Sequence, residues 1–407
     1  MKTFFNLIFF LFVGMNLKAQ TYGCTNSLAN NYNANATAND GSCIYNSANV
    51  VPLSSNLLPI ALDETSGLTF WNNMLWSLND DADNNLYAID TGNFNNYTAY
   101  PLNEPNIDWE EISQDDDYFY IGDFGNNVSG NRTDLKILKI EKNSLLQNNP
   151  NVDTINFSYS TQTNFNPTAI NSTDFDCEAF VITADSIYLF TKEWISNHCS
   201  VYSLPNKSGS YSANFISSYN VNGLVTGATQ IQNSRAVVLS GYSTVMQPFV
   251  LLLYDYQGFN FFSGNKRIIN VNLPFHQTEG IATVNGLKYY LSNEKLVQTP
   301  INIQAKIHEI DLTPYLSHYL NSVSGSFDIS ENPYAINIYP NPTTDFINVK
   351  WNTGVKVARI KIFNISGKEV MNQIVTEKYF QIDIRSFEKG IYFLSVNDSV
   401  FRKVVKM

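Results

Sequence analysis

Short apolar segments, each followed by a polar turn, recur through the middle of the chain from about residue 49 to residue 312. They run for roughly four to eight residues and are bounded by Asn, Asp, Gly and Ser, a pattern that indicates strands rather than helices. Five units begin with a short motif and continue into two strands separated by a turn, and the openings recur about every 50 residues. The openings are Ser66-Gly-Leu, Glu110-Glu-Ile, Glu178-Ala-Phe, Thr226-Gly-Ala and Glu279-Gly-Ile.

The same alternation predicts the remaining strands of each unit. Second strands are predicted at 74–78, 118–121, 187–190, 236–239 and 288–291. Third strands are predicted at 86–90, 135–140, 200–204, 250–254 and 306–310. Fourth strands are predicted at 97–102, 154–160, 214–219 and 267–271, so the fifth unit has none of its own.

Residues 49–58, which precede the first unit, have the character of the missing strand. A β-propeller closes its ring in this way, because an N-terminal strand completes the last blade. The sequence therefore predicts an all-β chain with a β-propeller at 49–320, and the spacing of about 50 residues fits four-stranded blades. Five blades are favoured. Six are possible if one is hidden in the long second unit between Glu110 and Glu178.

Residues 321–334 lack periodicity and are predicted to form a linker. Alternation resumes at 346–349, 360–363 and 392–396, which predicts a small antiparallel sandwich over 335–407. Three blocks occur in order in this tail: Tyr339-Pro-Asn-Pro, Gly367-Lys, and Gly390-Ile-Tyr with a basic end. Together they resemble the type A C-terminal sorting domain of the type IX secretion system of Bacteroidetes. The resemblance implies a cargo protein that engages this machinery through 335–407 and is then released or fixed to the cell surface.

The N-terminus is predicted to be a signal peptide over 1–19. Lys2 precedes an apolar run that ends at Val13, and Ala19 is a small residue suited to cleavage. About ten apolar residues are too few to span a bilayer, and no later segment has the ~20 that a transmembrane helix needs. We therefore expect export to the periplasm, then release or attachment at the outer-membrane surface, with no transmembrane segment.

Residues 20–48 are predicted to form a small module closed by a disulfide between Cys24 and Cys43. The segment looks like a module common in secreted flavobacterial proteins. Its alternating asparagines, followed by Asn39-Asp-Gly, are similar to calcium loops, but Asp40 is its one charged residue and calcium favours several carboxylates. A spacer is therefore favoured over a calcium site. For Cys177 and Cys199, a disulfide and two free buried thiols both remain open.

The charge is unevenly distributed along the chain. The net charge of the whole chain is −11, whereas residues from Ile336 onward carry 11 basic and 6 acidic side chains. The region between signal peptide and tail is therefore strongly acidic, which disfavours nucleic acid or anionic membrane as a partner and favours cations. The aromatic fraction of 14% is consistent with strands. We expect a monomer.

Carboxylates are concentrated where the predicted blades begin and where their second strands end. In antiparallel neighbours these two positions lie on the same face, so the side chains should converge at one mouth of the central channel. Converging carboxylates need a cation, a cationic ligand or hydrogen bonds, and oxygen-rich ligation favours Ca²⁺ or Mg²⁺. An alternative is that each glutamate only accepts amide hydrogen bonds and locks the ring. The candidate residues are Glu64, Asp80, Glu110, Asp123, Glu178, Glu193, Glu279 and Glu294.

The blade openings also resemble those of phytase-like and calcium-associated propellers. The resemblance covers 62–294 and rests on motifs such as Asp108-Trp-Glu-Glu-Ile and Ile121-Gly-Asp-Phe-Gly-Asn-Asn. By position it implies that the channel carboxylates are Glu110, Glu178 and Glu279, with Ca²⁺ as the cofactor.

Three functions remain open from the sequence. The leading hypothesis is a secreted or surface-attached propeller that binds an unknown extracellular ligand or a divalent cation at the acidic mouth. The alternatives are a metal-dependent esterase or phosphoesterase, with the three channel glutamates holding the metal, and a structural adhesin. No catalytic residue is assigned, because the four histidines show no triad spacing. Arg132 and Lys192 are expected to form surface salt bridges, with an anionic group as the alternative partner.

Overall fold

The structure is a computed structural model that describes residues 20–80, 83–183, 185–231, 234–324, 337–339, 341–350, 358–365, 368–375, 379–396 and 400–407. The predicted signal peptide and residues 325–334 of the predicted linker lie outside the described residues. Within the described part of the chain, no helix is long and apolar enough to cross a membrane.

The N-terminal module packs against the body of the protein. Its strands β1 (Tyr22–Gly23) and β2 (Ala38–Asn39) pair in parallel, and the predicted Cys24–Cys43 disulfide is confirmed. The Asn26 amide donates a 2.6 Å hydrogen bond to the Tyr254 hydroxyl, and the Asn39 amide donates to Asp255 Oδ2 at 3.0 Å. These long-range contacts show that the module is docked and does more than space two regions.

Five four-stranded blades make up the middle of the chain, and the outer strands of blades 2 and 3 also pair with each other in parallel. Two short strands come first, β3 (Asn49–Val50) and β4 (Ser54–Leu57). Blade 1 contains β5 (Thr65–Trp71), β6 (Met74–Asn79), β7 (Asn85–Asp90) and β8 (Tyr97–Pro101). Blade 2 contains β9 (Trp109–Gln114), β10 (Tyr118–Asp123), β11 (Lys136–Glu141) and, after helix α1 (Lys142–Leu146), β12 (Val152–Tyr159).

The remaining three blades repeat this order. Blade 3 contains β13 (Asp176–Ile182), β14 (Ser186–Lys192), β15 (His198–Pro205) and β16 (Gly209–Asn220). Blade 4 contains β17 (Leu224–Gln230), β18 (Ala236–Tyr242), β19 (Pro248–Tyr254) and β20 (Asn265–Val271). Blade 5 contains β21 (Thr278–Thr283), β22 (Lys288–Asn293) and, after the hairpin β23 (Leu296–Gln298) and β24 (Ile301–Ile303), β25 (Lys306–Asp311).

The fourth strand of blade 5 comes from the N-terminal side of the propeller, as predicted. β4 pairs antiparallel with β25, with Leu57 opposite Lys306 and Ser54 opposite Glu309. β3 pairs in parallel with β20 and extends blade 4 by a short fifth strand, which the sequence did not predict. The N-terminal segment therefore joins blades 4 and 5 before blade 1 begins.

The five inner strands β5, β9, β13, β17 and β21 pack side by side in a closed ring, in which β21 returns to β5. Hydrogen bonds cross between blades: Thr226 Oγ1 donates to Thr278 O at 2.6 Å, and Ser292 Oγ donates to Ser66 O at 3.3 Å. The described residues thus form a five-bladed propeller. The six-blade alternative is wrong, because the length of the second unit goes into α1 and the loop 160–175.

The ring is so tight that neighbouring inner strands nearly touch. A Cβ on Gly67 would lie 2.6 Å from Glu111 Oε1, and a Cβ on Gly280 would lie 2.5 Å from Leu68 N. Side chains larger than hydrogen cannot fit at these two positions without moving the next blade.

Glu111 fills the centre of this ring. Its side chain is fully buried, and its carboxyl accepts hydrogen bonds from Leu68 N at 3.1 Å, Ile112 N at 2.9 Å and Ala228 N at 2.9 Å. These donors belong to blades 1, 2 and 4. The channel is therefore closed at this level by one carboxyl group that links three blades.

The second cysteine pair does not form a disulfide. Cys177 and Cys199 are both buried free thiols. Cys177 lies on β13 opposite Thr191 of β14, whereas Cys199 lies on β15, on the far side of β14. Two strand spacings of about 4.8 Å separate their backbones, which exceeds the Cα distance that a disulfide can bridge.

The chain leaves the propeller through helix α2 (Thr313–Ser324), so residues 321–324, predicted as linker, are helical. The tail forms two sheets: β26 (Asn337–Tyr339), β27 (Phe346–Lys350) and β30 (Tyr379–Asp383), and β28 (Ala358–Asn364), β29 (Glu369–Val375), β31 (Gly390–Val396) and β32 (Val400–Lys406). Both sheets contribute to one apolar core, which includes Ile347, Ile362 and Leu394. The predicted small sandwich is confirmed.

Replacing Glu111 with Ala should destabilise the propeller by about 3 kcal/mol or more, because three buried backbone amides lose their acceptor. Glu111→Gln should cost less, since its amide oxygen can still accept. Urea unfolding followed by tryptophan fluorescence measures the difference, with exposed Asp153→Ala as the control. Wild-type stability of Glu111→Ala would contradict the bridging role.

Candidate functional site

The blade openings form one mouth because most inner strands begin with a β-bulge. The pairing register shifts between Thr65 and Leu68, Cys177 and Ala179, Val225 and Gly227, and Thr278 and Ile281. In blade 2, Gly122 pairs with Glu111 and Asp123 with Trp109, so Glu110 on β9 is the extra residue. A bulge leaves an extra residue outside the ladder, and Glu110, Glu178 and Glu279 all lie in such irregular stretches.

Glu110, Glu178 and Glu279 are all buried at the openings of blades 2, 3 and 5. They are 6%, 3% and 6% exposed. Burial raises the pKa of each carboxyl well above its usual range, and the nearby charge of Glu178 raises the pKa of both others. The three groups therefore act on one another electrostatically across blades 2, 3 and 5.

Three further predicted carboxyls join them. Asp80 lies close enough to raise the pKa of both Glu110 and Glu279. Burial raises the pKa of Glu294 to about 6, Lys192 opposes this shift, and Glu64 adds to it. Asp80, Glu64 and Glu294 therefore extend this cluster of carboxyls to blades 1 and 5.

Two aspartates belong to the same cluster of carboxyls and were not among the predicted site residues. Burial raises the pKa of Asp108 to about 6, and the charge of Asp176 adds to that shift. Both stand two residues before a channel glutamate, in Asp108-Trp-Glu and Asp176-Cys-Glu. The repeated Asp-x-Glu motif was the signal that could have identified them. We call Glu64, Asp80, Asp108, Glu110, Asp176, Glu178, Glu279, Glu294 and Lys192 together the acidic mouth.

Lys192 supplies a buried ammonium group to the acidic mouth. Its Nζ lies 2.6 Å from both carboxyl oxygens of Glu178. It also lies 4.8 Å from the centre of the Trp194 ring and 5.5 Å from that of Tyr242. Burial acts to lower the pKa of Lys192, but the opposing carboxylates hold it well above its usual range. The expected surface salt bridge is therefore a buried ion pair.

Asp123 and Glu193, the other two predicted residues, are held by groups of their own blades. Asp123 pairs with Arg132 at 2.8 Å and with Lys136 at 3.4 Å. Glu193 accepts hydrogen bonds from the hydroxyls of Thr191 and Ser196. Each lies one residue out of phase with the mouth-facing position, and a shift of one residue along a strand turns a side chain to the opposite face.

Other residues lock the ring through hydrogen bonds to the backbone. For the channel glutamates, this role was the alternative prediction. Ser66 and Thr226, which open blades 1 and 4, donate hydroxyl hydrogen bonds to the backbone of the next blade. Glu111 accepts the amides at the centre. Within the described residues, no group donates a hydrogen bond to the carboxyl of Glu110 or Glu279, although both are nearly fully buried.

The acidic mouth contains many more carboxyl groups than cations. Lys192 acts on Asp176, Glu178 and Glu279, Arg132 acts on Asp108 from the edge, and Lys295 acts on Glu64. Among the described residues, no group of three or more His, Cys, Asp or Glu side chains has the geometry of a preformed metal site.

Comparison with known proteins identifies the tail. Residues 337–407 match the family described as "Secretion system C-terminal sorting domain". The tail is a secretion sorting domain. The resemblance noted from its motifs is confirmed, so the chain is a cargo of the type IX secretion system and a secreted or cell-surface protein. No curated protein matches the sequence.

The solved structures that match this chain share little sequence identity with it and have low TM-scores. PorZ, a bacterial surface component of the type IX secretion system of Porphyromonas gingivalis, is 12% identical with a TM-score of 0.31, over 84% of this chain and 45% of that one. Streptogramin B lyase is 10% identical with a TM-score of 0.31, over 87% and 97% of the two chains. The Bombyx mori GH32 β-fructofuranosidase is 10% identical with a TM-score of 0.37, over 87% and 88%. These values carry no argument about what the sorted protein binds.

Replacing Lys192 with Met should destabilise the sorted protein by about 3–5 kcal/mol, because Glu178 would remain buried without its partner. Lys192→Met combined with Glu178→Gln should recover much of that loss. Urea unfolding measures both, with the exposed Lys207→Met as control. If Lys192→Met were as stable as Lys207→Met, the ion pair between Lys192 and Glu178 would not offset the charge of the acidic mouth.

Stability should fall as pH rises through the range in which the acidic mouth ionises. The pKa of Asp108 and of Glu294 is about 6 in the folded chain, against usual values of 3.8 and 4.5. The folded state binds these protons more tightly than the unfolded state does. The two carboxyls therefore contribute stability below about pH 4, and this contribution is lost progressively up to about pH 6.

We therefore expect a higher Tm at pH 5.5 than at pH 7.5 in low-salt, metal-free buffer. Glu110→Gln should raise the Tm at pH 7.5 by about 2–4 °C for each kcal/mol of repulsion removed. Glu294→Gln should reduce the difference between the two pH values. A Glu110→Gln variant that melts below wild type at pH 7.5 would contradict unrelieved repulsion at this site.

Proposed function

We propose that this exported propeller is a binding protein whose acidic mouth holds a positively charged ligand or a divalent cation. One observation carries the proposal: the residues Glu110 and Glu279 are each 6% exposed, and their carboxyls receive no hydrogen bond from the described residues. A buried carboxylate without a partner is costly, so natural proteins usually satisfy it or leave it protonated. A bound cation would supply the missing partner.

The surrounding charge supports the same reading. The mouth draws on blades 1, 2, 3 and 5, and Lys192 neutralises only part of its charge. Field lines from clustered like charges concentrate in a cleft with low-dielectric walls, which raises the local concentration of a cation. Glu111 links the blades at the centre of the ring, so a ligand would enter and leave by the mouth.

Calcium is the divalent cation that we propose to test first. Carboxylate oxygens are its usual protein ligands, and the mouth presents them from several strands. The hydrolase and adhesin alternatives remain predictions from the sequence.

The test is a thermal shift of the mature protein in chelator-treated buffer, with Ca²⁺, Mg²⁺ and organic cations added separately. A ligand at one hundred times its Kd stabilises the folded state by about 2.7 kcal/mol. We expect at least one of these cations to raise the Tm at pH 7.5 and to do so less at pH 5, where protons compete for the carboxyls.

Glu110→Gln/Glu279→Gln should abolish the cation response, whereas the exposed Asp185→Asn should keep it. If no cation raises the Tm, or if the double variant responds as wild type does, the acidic mouth is not the binding site and the proposal fails.

A further inference from the structure

Blades 2 and 3 carry the same Asp-x-Glu motif at the mouth, but only in blade 3 are both carboxyls supplied with donors. Asp176 accepts from Asn126 N at 2.6 Å and from Trp194 Nε1 at 2.8 Å. Glu178 accepts two 2.6 Å hydrogen bonds from the Lys192 ammonium. The blade 3 pair is therefore saturated from within the chain.

The equivalent pair in blade 2 has no such donors. Within the described residues, nothing donates a hydrogen bond to the side chains of Asp108 and Glu110. The two carboxyls lie side by side over Gly125, where a Cβ would overlap both of them. Glycine at 125 thus leaves space that two acidic groups share.

The missing donor can be located from the strand register. In blade 3, Lys192 stands three residues after Leu189, which pairs with Phe180. In blade 2, the residue three positions after Ile121, which pairs with Ile112, is Phe124. Phe124 therefore occupies in blade 2 the sequence position that Lys192 occupies in blade 3.

Phe124 does not enter the mouth. Its side chain is fully buried, lies against Gly122 and meets the Phe180 ring edge-on at 5.6 Å between centroids. Gly122 makes this possible, because any larger side chain there would collide with the ring. Blade 2 thus keeps the carboxyl pair and replaces the ammonium with an apolar group packed elsewhere.

The groups that act most strongly on Glu110 include no cation. Besides burial, the groups that act on its pKa are Glu178, Asp108, Asp176 and Asp80, all of them acidic. Arg132 acts on Asp108 but is held by Asp123 at 2.8 Å and Asp134 at 3.0 Å. Lys192 acts on Asp108 from a distance while bound to Glu178.

We propose that Asp108 and Glu110 bind a primary ammonium group of the ligand, in the blade 2 position that corresponds to the Lys192 ammonium of blade 3. This inference rests on the proposed function and narrows its ligand to an alkylamine, such as a diamine or a lysine side chain. An ammonium group has three N–H donors, enough for both carboxyls.

The inference is tested by calorimetric titration of the mature protein with 1,5-diaminopentane and with a short lysine-containing peptide. Tetramethylammonium, which has charge but no N–H donor, and Ca²⁺ are the comparison probes. We expect both amines to bind and tetramethylammonium to bind at least about tenfold more weakly, which is the loss of one charge-assisted hydrogen bond.

Glu110→Gln and Asp108→Asn should each weaken amine binding about tenfold or more, whereas Asp185→Asn should leave it unchanged. Asp108 is only partly buried, so its variant gives a result even if Glu110→Gln fails to fold. Amine binding that neither substitution weakens would overturn the assignment to blade 2.

Proton release provides a readout that needs no variant. Asp108 and Glu110 have raised pKa values, so binding an ammonium near pH 6 should release protons, seen as a binding enthalpy that varies with the ionisation enthalpy of the buffer. Calcium binding without amine binding would overturn this inference and leave the proposed function standing. Binding of neither would overturn both.

Discussion

The convergence of five inner strands at one axis is the constraint on which the rest of this molecule depends. Strands that approach this closely require Gly67 and Gly280, because a Cβ at either position would enter the next blade. The ring also buries backbone amides that need acceptors, and Glu111 satisfies three of them from three blades. Closure and the blocked channel therefore have the same cause.

Closing the ring also creates the electrostatic problem at the mouth. Side chains that open each blade are brought together out of water, where carboxylates repel one another strongly. Blades 1 and 4 avoid the problem with Ser66 and Thr226, whose hydroxyls bind the neighbouring backbone. Blade 3 solves it with an internal ammonium at Lys192. Blades 2 and 5 retain buried glutamates without a donor from the described residues.

Much of this arrangement could be predicted from local patterns. The alternation of apolar and polar residues located the strands of all five blades, and the missing fourth strand in the last unit indicated how the ring closes through β4. The prediction was wrong about which face the side chains at the ends of two strands occupy. Lys192 is the mouth-facing residue at the end of β14, and Phe124 has the equivalent position after β10; Asp123 comes one residue before that position and Glu193 one residue after it. Burial of Lys192 could not be inferred from strand alternation, since it depends on how blades 3 and 4 meet.

The differences among the blades are more informative than their similarity. A repeated fold places equivalent residues at the same positions in every blade. Where two blades share a carboxyl motif and only one of them supplies its hydrogen-bond donors, the comparison shows which donors the other blade lacks. Asp176 and Glu178 have their donors within the chain, whereas Asp108 and Glu110 have the same motif without such donors, and Phe124 is buried in the core. The fold could have satisfied the blade 2 pair as it did the blade 3 pair. For a protein sorted to the cell exterior, the open pair in blade 2 is the position at which we propose that an external ammonium group binds.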